Sequence, residues 1–180
     1  SAAQYADSAA DTTLGAALDA DADYHTKPAD GTLVQFVPYN VRFYARGVNT
    51  SRHVLNFSSL DRPEYWPSLQ FGIEDPTDID INLGGYTLMG QVGDTIYAYV
   101  PEGPGQSNDS RSGANLLVFT GAKAYRWYGW DWLDFVRAEA FRTTCVQARA
   151  TITSEGLVFW IGQMGPMLLP SGTNTPQPRY

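Results

Sequence analysis

The sequence predicts an all-β protein with antiparallel strands arranged as a sandwich or a barrel. Short segments in which apolar and polar residues alternate recur along the chain, and a period of two is typical of strands with one buried face. The 17 glycines and 11 prolines fall largely between these segments, where turns are expected. Helical periodicity is rare. Eight to ten short strands separated by turn signals are typical of a β-sandwich or barrel.

Composition is consistent with one folded domain. A chain of 180 residues has the size of a single domain, and its 43% hydrophobic residues can form a core. Charged residues make up only 17% of the chain, below the roughly 25% of an average soluble domain. We therefore expect much of the surface to be buried, either inside the domain or against partners.

Residues 1–30 differ from the rest of the chain. They carry six aspartates against one lysine, so this segment holds −5 of the formal net charge of −7. Leu14 and Leu18 are its large aliphatic residues, too few to anchor a helical face, so we predict an extended arm or a solvated tail. The nearly neutral remainder has no run of Lys or Arg, and direct sequence-specific nucleic-acid binding is not expected.

The first half of the body contains most of the strand candidates. Val41, Phe43 and Ala45 alternate with polar or amphipathic residues, as in a half-buried strand. The clearest alternation places Ile79, Ile81 and Leu83 between Asp78, Asp80 and Asn82. The other candidates of this half are His53–Phe57, Ser68–Ile73, Tyr86–Val92 and Thr95–Val100. Gly93–Asp94 predicts a hairpin turn between the last two.

The second half adds four strand candidates, which are Leu116–Thr120, Val136–Ala140, Cys145–Ile152 and, as the last strand, Leu157–Ile161. Two segments rich in prolines and polar residues, 61–67 and 101–113, are predicted to be exposed loops. The tail 170–180 carries three prolines and no periodicity, which predicts an extended arm. The predicted organisation is an arm over 1–30, a β-sandwich domain over 31–169 and a tail over 170–180.

The sequence favours no metal, cofactor or membrane span. Two histidines and one cysteine, far apart, cannot supply an ordinary zinc site. Asp78-x-Asp80-x-Asn82 resembles the start of a calcium loop, but Leu83 and Met89 stand where that loop needs glycine and glutamate. Cys145 is alone, which excludes an intrachain disulfide. The sequence contains no stretch of about 20 apolar residues, so no transmembrane segment is predicted.

Catalysis is not expected, although one hydrolase hypothesis deserves a test. The Gly-x-Ser-x-Gly pattern of a nucleophile elbow is absent from the sequence. His53 has serine and carboxylate neighbours in the chain, the combination that hydrolytic triads use; they are Ser51, Ser58, Ser59 and Asp61. Serine and aspartate are common in loops, so this proximity gives little support to an enzyme.

An aromatic cluster over residues 125–132 provides the candidate contact site. Three tryptophans and two tyrosines lie within eight residues, and exposed rings of this kind bind sugars, lipids or proteins. The candidate contact residues are Tyr125, Arg126, Trp127, Trp130 and Trp132, joined by Tyr65 and Trp66 of the 61–67 loop. This cluster suggests a lectin-like or membrane-attaching module. The alternative is that the rings fill one end of a β-sandwich core.

The last apolar segment carries a resemblance to a known family. It runs Glu155-Gly-Leu-Val-Phe-Trp-Ile-Gly-Gln-Met-Gly-Pro-Met-Leu-Leu-Pro170, a final strand that passes through glycine into a proline-containing tail. This segment resembles the C-terminal strand and exit of capsid proteins from picorna-like viruses. Phe141–Val146 and Ala124–Trp127 are similar to other segments of the same shells.

The resemblance implies an eight-stranded jelly roll, either a coat subunit or a projecting domain, and a structural role without catalysis or cofactors. It implies release from a precursor by a viral protease, which is consistent with a chain that begins at Ser1. The partners would be other capsid protein subunits, with a host receptor or glycan as a further contact. The two arms would lie on neighbouring subunits. The implied location is the virion, and the host cytoplasm during assembly.

Overall fold

The computed structural model describes residues 31–60, 62–75, 79–102, 115–142, 145–146, 151–154, 157–170, 173 and 175–179. The predicted all-β class with antiparallel pairing is confirmed. The strands are β1 (Leu33–Tyr39), β2 (Arg42–Gly47), β3 (Val54–Phe57), β4 (Gly85–Leu88), β5 (Ile96–Glu102), β6 (Asn115–Thr120), β7 (Ala124–Tyr128), β8 (Val136–Phe141), β9 (Thr151–Ser154), β10 (Leu157–Gly162), β11 (Gly165–Leu169) and β12 (Gln177–Pro178). A short 3₁₀ turn spans Asn49–Ser51.

The strands form three four-stranded antiparallel sheets. Sheet 1 has the order β1-β2-β3-β4, sheet 2 the order β5-β6-β7-β8, and sheet 3 the order β12-β11-β10-β9. Paired neighbours among the described strands are therefore consecutive in sequence. A jelly roll also pairs strands that lie far apart in the chain, so the eight-stranded jelly roll stays a prediction.

Sheet 2 has a hydrophobic cluster on each face. Side chains alternate along β6, where Leu116 and Val118 join a cluster with residues of sheet 1. Leu117 and Phe119 join a second cluster with residues of sheet 3. All four side chains are fully buried, which explains why β6 is an unbroken apolar run without alternation in hydrophobicity. Sheet 2 thus supplies one face to each of the two clusters.

The alternation at β2 predicts the strand but not its buried face. Arg42 and Tyr44 are buried, whereas Val41 and Phe43 are 50% and 38% exposed. The Arg42 guanidinium donates to the carbonyls of Ser58 at 2.8 Å, Leu83 at 2.9 Å and Asn82 at 3.1 Å. Buried charge is tolerated only when it is hydrogen-bonded, and these carbonyls come from segments distant in sequence.

Two predicted strands are wrong, and local hydrogen bonds explain the first. The carboxylate of Asp80 accepts from the Asn82 amide at 2.9 Å, and the Leu83 amide donates to the Asp80 carbonyl at 3.0 Å. Asp and Asn side chains compete in this way with strand ladders, so 79–83 is a turn. In Ser68–Ile73 only Gln70 forms a bridge, to Tyr86 of β4.

The predicted hairpin between Tyr86–Val92 and Thr95–Val100 is also wrong. A turn is present, because the Asp94 amide donates to the Gln91 carbonyl at 3.0 Å and Gly93 adopts a φ of 100°. The flanking strands β4 and β5, however, belong to different sheets. The turn signal indicated a change of direction, while the partner of each strand was decided by burial.

The sequence analysis did not predict β1, β7, β11 and β12. β11 continues the antiparallel meander after the predicted last strand, and β12 brings the tail back onto it through the pairs Met167 with Pro178 and Leu168 with Gln177. The described part of the tail is therefore extended but pairs within its own chain. Cys145 makes a single bridge to Gly162. Residues 1–30, 103–114 and 147–150 lie outside the described residues.

Candidate functional site

The aromatic cluster is divided between the two faces of β7 and the turn that follows it. Trp127 is fully buried, Tyr125 packs on the same hydrophobic cluster, and Arg126 points to the opposite face. The alternation of a strand separates neighbours in this way. Residues 125–132 therefore do not form one continuous exposed platform.

Trp127 and Trp132 are core residues. The Trp127 ring centroid lies 4.8 Å from that of Phe135 and 5.1 Å from that of Phe71, with an edge contact to the latter. Its indole nitrogen donates to the Tyr44 hydroxyl at 3.3 Å. The Trp132 indole nitrogen donates to the Leu83 carbonyl at 2.7 Å. Both rings therefore fill the core, which is the alternative that the sequence left open.

Arg126 forms hydrogen bonds with β5 and with the tail. Its Nε and Nη2 donate to the two carboxylate oxygens of Glu102, each at 2.6 Å, and Nη2 also donates to the Thr173 carbonyl at 3.1 Å. The hydrogen bond to Glu102 raises the pKa of the guanidinium above its usual value, although burial opposes the shift. This bidentate geometry is the strongest form of ion pair between side chains.

The turn after β7 presents the exposed part of the cluster. The Asp134 carboxylate accepts from the Trp130 amide at 2.6 Å and the Asp131 amide at 2.7 Å, while Asp131 accepts from the Leu133 amide at 2.9 Å. Trp130 is half-buried and Leu133 is 62% exposed. A turn fixed by three such bonds holds two apolar side chains at the surface.

Tyr65 and Trp66 lie on a different part of the molecule. Tyr65 is buried, and its backbone carbonyl accepts from the Ser59 amide at 2.9 Å. The Trp66 indole nitrogen donates to the Pro63 carbonyl at 2.6 Å, and its ring makes an edge contact with Phe36 of β1 at 5.8 Å. Trp66 thus contacts sheet 1, and no recorded contact joins it to the described residues of the 125–132 cluster.

Sequence reasoning missed an apolar surface on sheet 3. Along β10, Val158 and Trp160 are buried while Phe159 and Ile161 are 36% and 41% exposed. Ile161 lies opposite Pro166 of β11, whose side chain shares its face and is exposed. The range 157–170 contains no charged residue. That uncharged run is a signal in the sequence, but the last predicted strand ends at Ile161 and no strand is predicted between it and the tail at 170.

The residues of the hydrolase hypothesis are not assembled in the described part of the chain. The Ser58 hydroxyl accepts from the Phe43 amide at 2.9 Å, and the Ser59 hydroxyl accepts from the Gly84 amide at 2.8 Å. His53 is buried, and its Nδ1 has no hydrogen-bond partner among the described residues. Asp61 lies outside them. Both hydroxyls are used by the backbone instead of facing a base.

Metal and thiol chemistry receive no further support from the described residues. Among them, no group of three or more His, Cys, Asp or Glu side chains is placed to hold a metal ion. Cys145 is a buried thiol of the cluster between sheets 2 and 3. No helix among the described residues has the length and apolar character needed to cross a membrane.

Comparison with known proteins identifies no relative. The chain matches no family model, no curated protein and no solved structure.

Proposed function

We propose that this chain is a structural capsid protein, a subunit that assembles with other coat proteins into the icosahedral shell of a picorna-like virus. The proposal extends the antiparallel all-β architecture to a β-sandwich of the jelly-roll kind. Its role is assembly and contact with a host receptor or glycan, without catalysis or a cofactor, and its location is the virion.

The uncharged exposed face of sheet 3 is the observation that carries this proposal. Phe159 and Ile161 are the exposed apolar residues of β10, and they fall within the same segment that resembles capsid proteins. Exposed apolar surface of this kind is typical of sites that bind other proteins. Charged residues are depleted in the buried centre of protein interfaces, as they are in residues 157–170.

Light scattering after size exclusion, followed by electron microscopy of any large species, tests the proposal. We expect the purified chain to form oligomers or particles, and Phe159→Glu or Ile161→Glu to shift them toward the monomer. Val92→Glu is the matched control, because Val92 is 86% exposed on the turn between β4 and β5. A wild-type chain that remains a compact monomer at all concentrations would contradict the proposal.

A second candidate function is a lectin-like or membrane-attaching module. The turn after β7 supports it, since Asp134 fixes the backbone of Trp130 beside the exposed Leu133. The buried Trp127 and Trp132 would act as scaffold in this case. The carboxylates of Asp131 and Asp134 favour neutral ligands over anionic lipids.

Titration with glycans and with neutral liposomes separates the two candidates. A binding module should show a change in tryptophan fluorescence that Trp130→Phe reduces, while the control Trp66→Phe retains it. The absence of any fluorescence change in both titrations would exclude this second candidate.

A further inference from the structure

Sheet 1 has an outer face that turns away from sheet 2. Tyr44, Leu55 and Phe57 belong to the hydrophobic cluster between these two sheets, so the residues that alternate with them along β2 and β3 point outward. Residues paired across neighbouring strands share a face, which extends the assignment to β1 and β4. The outward positions are Phe36, Pro38, Phe43, Ala45, Val54, Asn56, Tyr86 and Leu88.

This outer face of sheet 1 is uncharged and partly exposed. None of its eight positions is Asp, Glu, Lys or Arg. Phe36 and Phe43 are 55% and 38% exposed, and Pro38 is exposed as well, while the other five are half-buried or buried. The half-buried Trp66 adds its ring through the edge contact with Phe36. Exposed apolar surface of this kind is typical of interaction sites.

The polar side chains of the face favour a protein as its partner. The Tyr86 hydroxyl donates to Gln70 Oε1 at 2.9 Å, and the Asn56 side-chain nitrogen donates to the Ala45 carbonyl at 3.4 Å. Both groups are therefore already paired within the chain, whereas a small polar ligand such as a sugar is oriented by free hydrogen-bonding groups. The centre of a protein interface, by contrast, is rich in aromatic rings and poor in charge.

The outer face of sheet 3 is a surface of the same kind. Phe159 and Ile161 alternate with Val158 and Trp160, which pack in the cluster with sheet 2, so they too point away from sheet 2. The exposed Pro166 shares their face. Strands β9 to β12 contain no charged residue. One chain thus carries two uncharged outer faces, and each belongs to a sheet of four strands.

The size of these faces favours a repeating contact over an isolated pair. With about 4.8 Å between strands and about 3.3 Å per residue, each face measures roughly 20 Å by 20 Å, or about 400 Å². One pair of faces would bury about 800 Å² in total, less than the roughly 1,200 Å² of a stable interface. A copy that uses both faces buries about 800 Å² of its own surface, the usual amount per partner. Head-to-tail contact between unlike faces achieves this with one type of contact.

We propose that the outer face of sheet 1 binds the outer face of sheet 3 of a second copy of this chain. This inference rests on the proposed assembly function and names the surface that the sheet 3 face meets. Phe36 and Phe43 pack against Phe159 and Ile161 of the neighbouring copy. The two sheets lie about 10 Å apart, as the sheets of a β-sandwich do.

Two variants that each lose one face test the contact. Phe36→Glu places a charge on the face of sheet 1, and Ile161→Glu places one on the face of sheet 3. In sedimentation equilibrium of the full chain, we expect each variant alone to self-associate at least about tenfold more weakly than the wild type. An equimolar mixture should form dimers with one copy of each, because each variant retains the face that the other lacks. The control Val92→Glu, at an 86% exposed turn position, should associate as the wild type does.

Three results would overturn the inference. The first is a Phe36→Glu variant that associates as strongly as the wild type. The second is dimer formation by each variant alone, which would show that like faces pair. The third is a mixture that stays monomeric.

The same samples separate this inference from the assembly function. If Ile161→Glu is monomeric while Phe36→Glu assembles normally, the contact on sheet 1 is excluded and the assembly function stands. A wild-type chain that remains monomeric would contradict the assembly function itself. Phe43→Glu is a second variant of the same face, and circular dichroism confirms that each variant is folded.

Discussion

Arg126 and Glu102 form a bidentate ion pair between β7 and β5, with two N–O distances of 2.6 Å. Their side chains are 14% and 8% exposed. The same guanidinium holds the Thr173 carbonyl of the tail. One half-buried arginine thus connects two strands of sheet 2 to the segment that leads into β12.

Replacement of Arg126 should lower the free energy of unfolding. Arg126→Met leaves the Glu102 carboxylate buried without its cation, and we expect a loss of about 3 kcal/mol in the free energy of unfolding. Urea denaturation measures it, with Arg142→Met as a control because the Arg142 side chain is 85% exposed. The double variant Glu102→Leu, Arg126→Met should lose less than Arg126→Met alone. Equal stability of wild type and Arg126→Met would disprove this role.

The buried hydroxyl of Tyr44 should make the fold less stable at alkaline pH. Burial raises the pKa of its hydroxyl from 10.0 to about 12, so the neutral form is favoured in the folded state. Below pH 10 the neutral hydroxyl makes its full contribution to the free energy of unfolding. As the pH rises from 10 to about 12, the hydroxyl ionises in the unfolded chain but stays neutral in the folded one. The free energy of unfolding therefore falls by about 3 kcal/mol.

Denaturation across this pH range measures the effect of Tyr44. Tyr44→Phe should show a shallower alkaline decline than the wild type, although it is less stable at neutral pH because the Trp127 indole loses its acceptor. Tyr128→Phe, at a half-exposed position, should retain the full decline. Identical pH profiles for wild type and Tyr44→Phe would contradict the assignment.

Gly85 is required by the close approach of Trp132. A Cβ at this position would lie 2.7 Å from Cζ2 of Trp132 and 2.5 Å from the Leu69 carbonyl oxygen. Gly85→Ala should therefore destabilise the fold by about 3 kcal/mol. Gly121→Ala is the control, because its nearest neighbour would be Tyr97 at 3.6 Å. Thermal unfolding of the two variants should differ clearly, and equal midpoints would exclude this clash.

Arg42 should not tolerate lysine. Its Nη1 donates to three carbonyls, and its Cζ lies 5.5 Å from the ring centroid of Phe135. An ammonium group cannot reproduce the planar geometry of a guanidinium, so Arg42→Lys should cost about 2 kcal/mol. Arg52→Lys, at an exposed position, should be neutral. Matching urea midpoints for these two variants would show that the carbonyl contacts are not needed.

The aromatic cluster shows which parts of a site can be predicted from composition. Its unusual density is evident from the sequence, which is compatible with both a binding platform and a core plug. Trp127 and Trp132 proved to be core residues, while Trp130 and Leu133 stayed at the surface of an Asp134-fixed turn. Periodicity could not separate them, because the deciding contacts involve Phe57 and Phe71 from other parts of the chain.

The sequence by itself determined the class of this protein. Period-two alternation and well-placed glycines predicted antiparallel strands, since side-chain direction along a strand is a local property. The tertiary structure decided which strands pair and which faces are buried. Turn 91–94 joins two different sheets, Asp80 forms a turn inside the clearest strand pattern, and Arg42 is buried beneath distant carbonyls. These outcomes depend on partners far away in the chain, whose positions no local pattern contains.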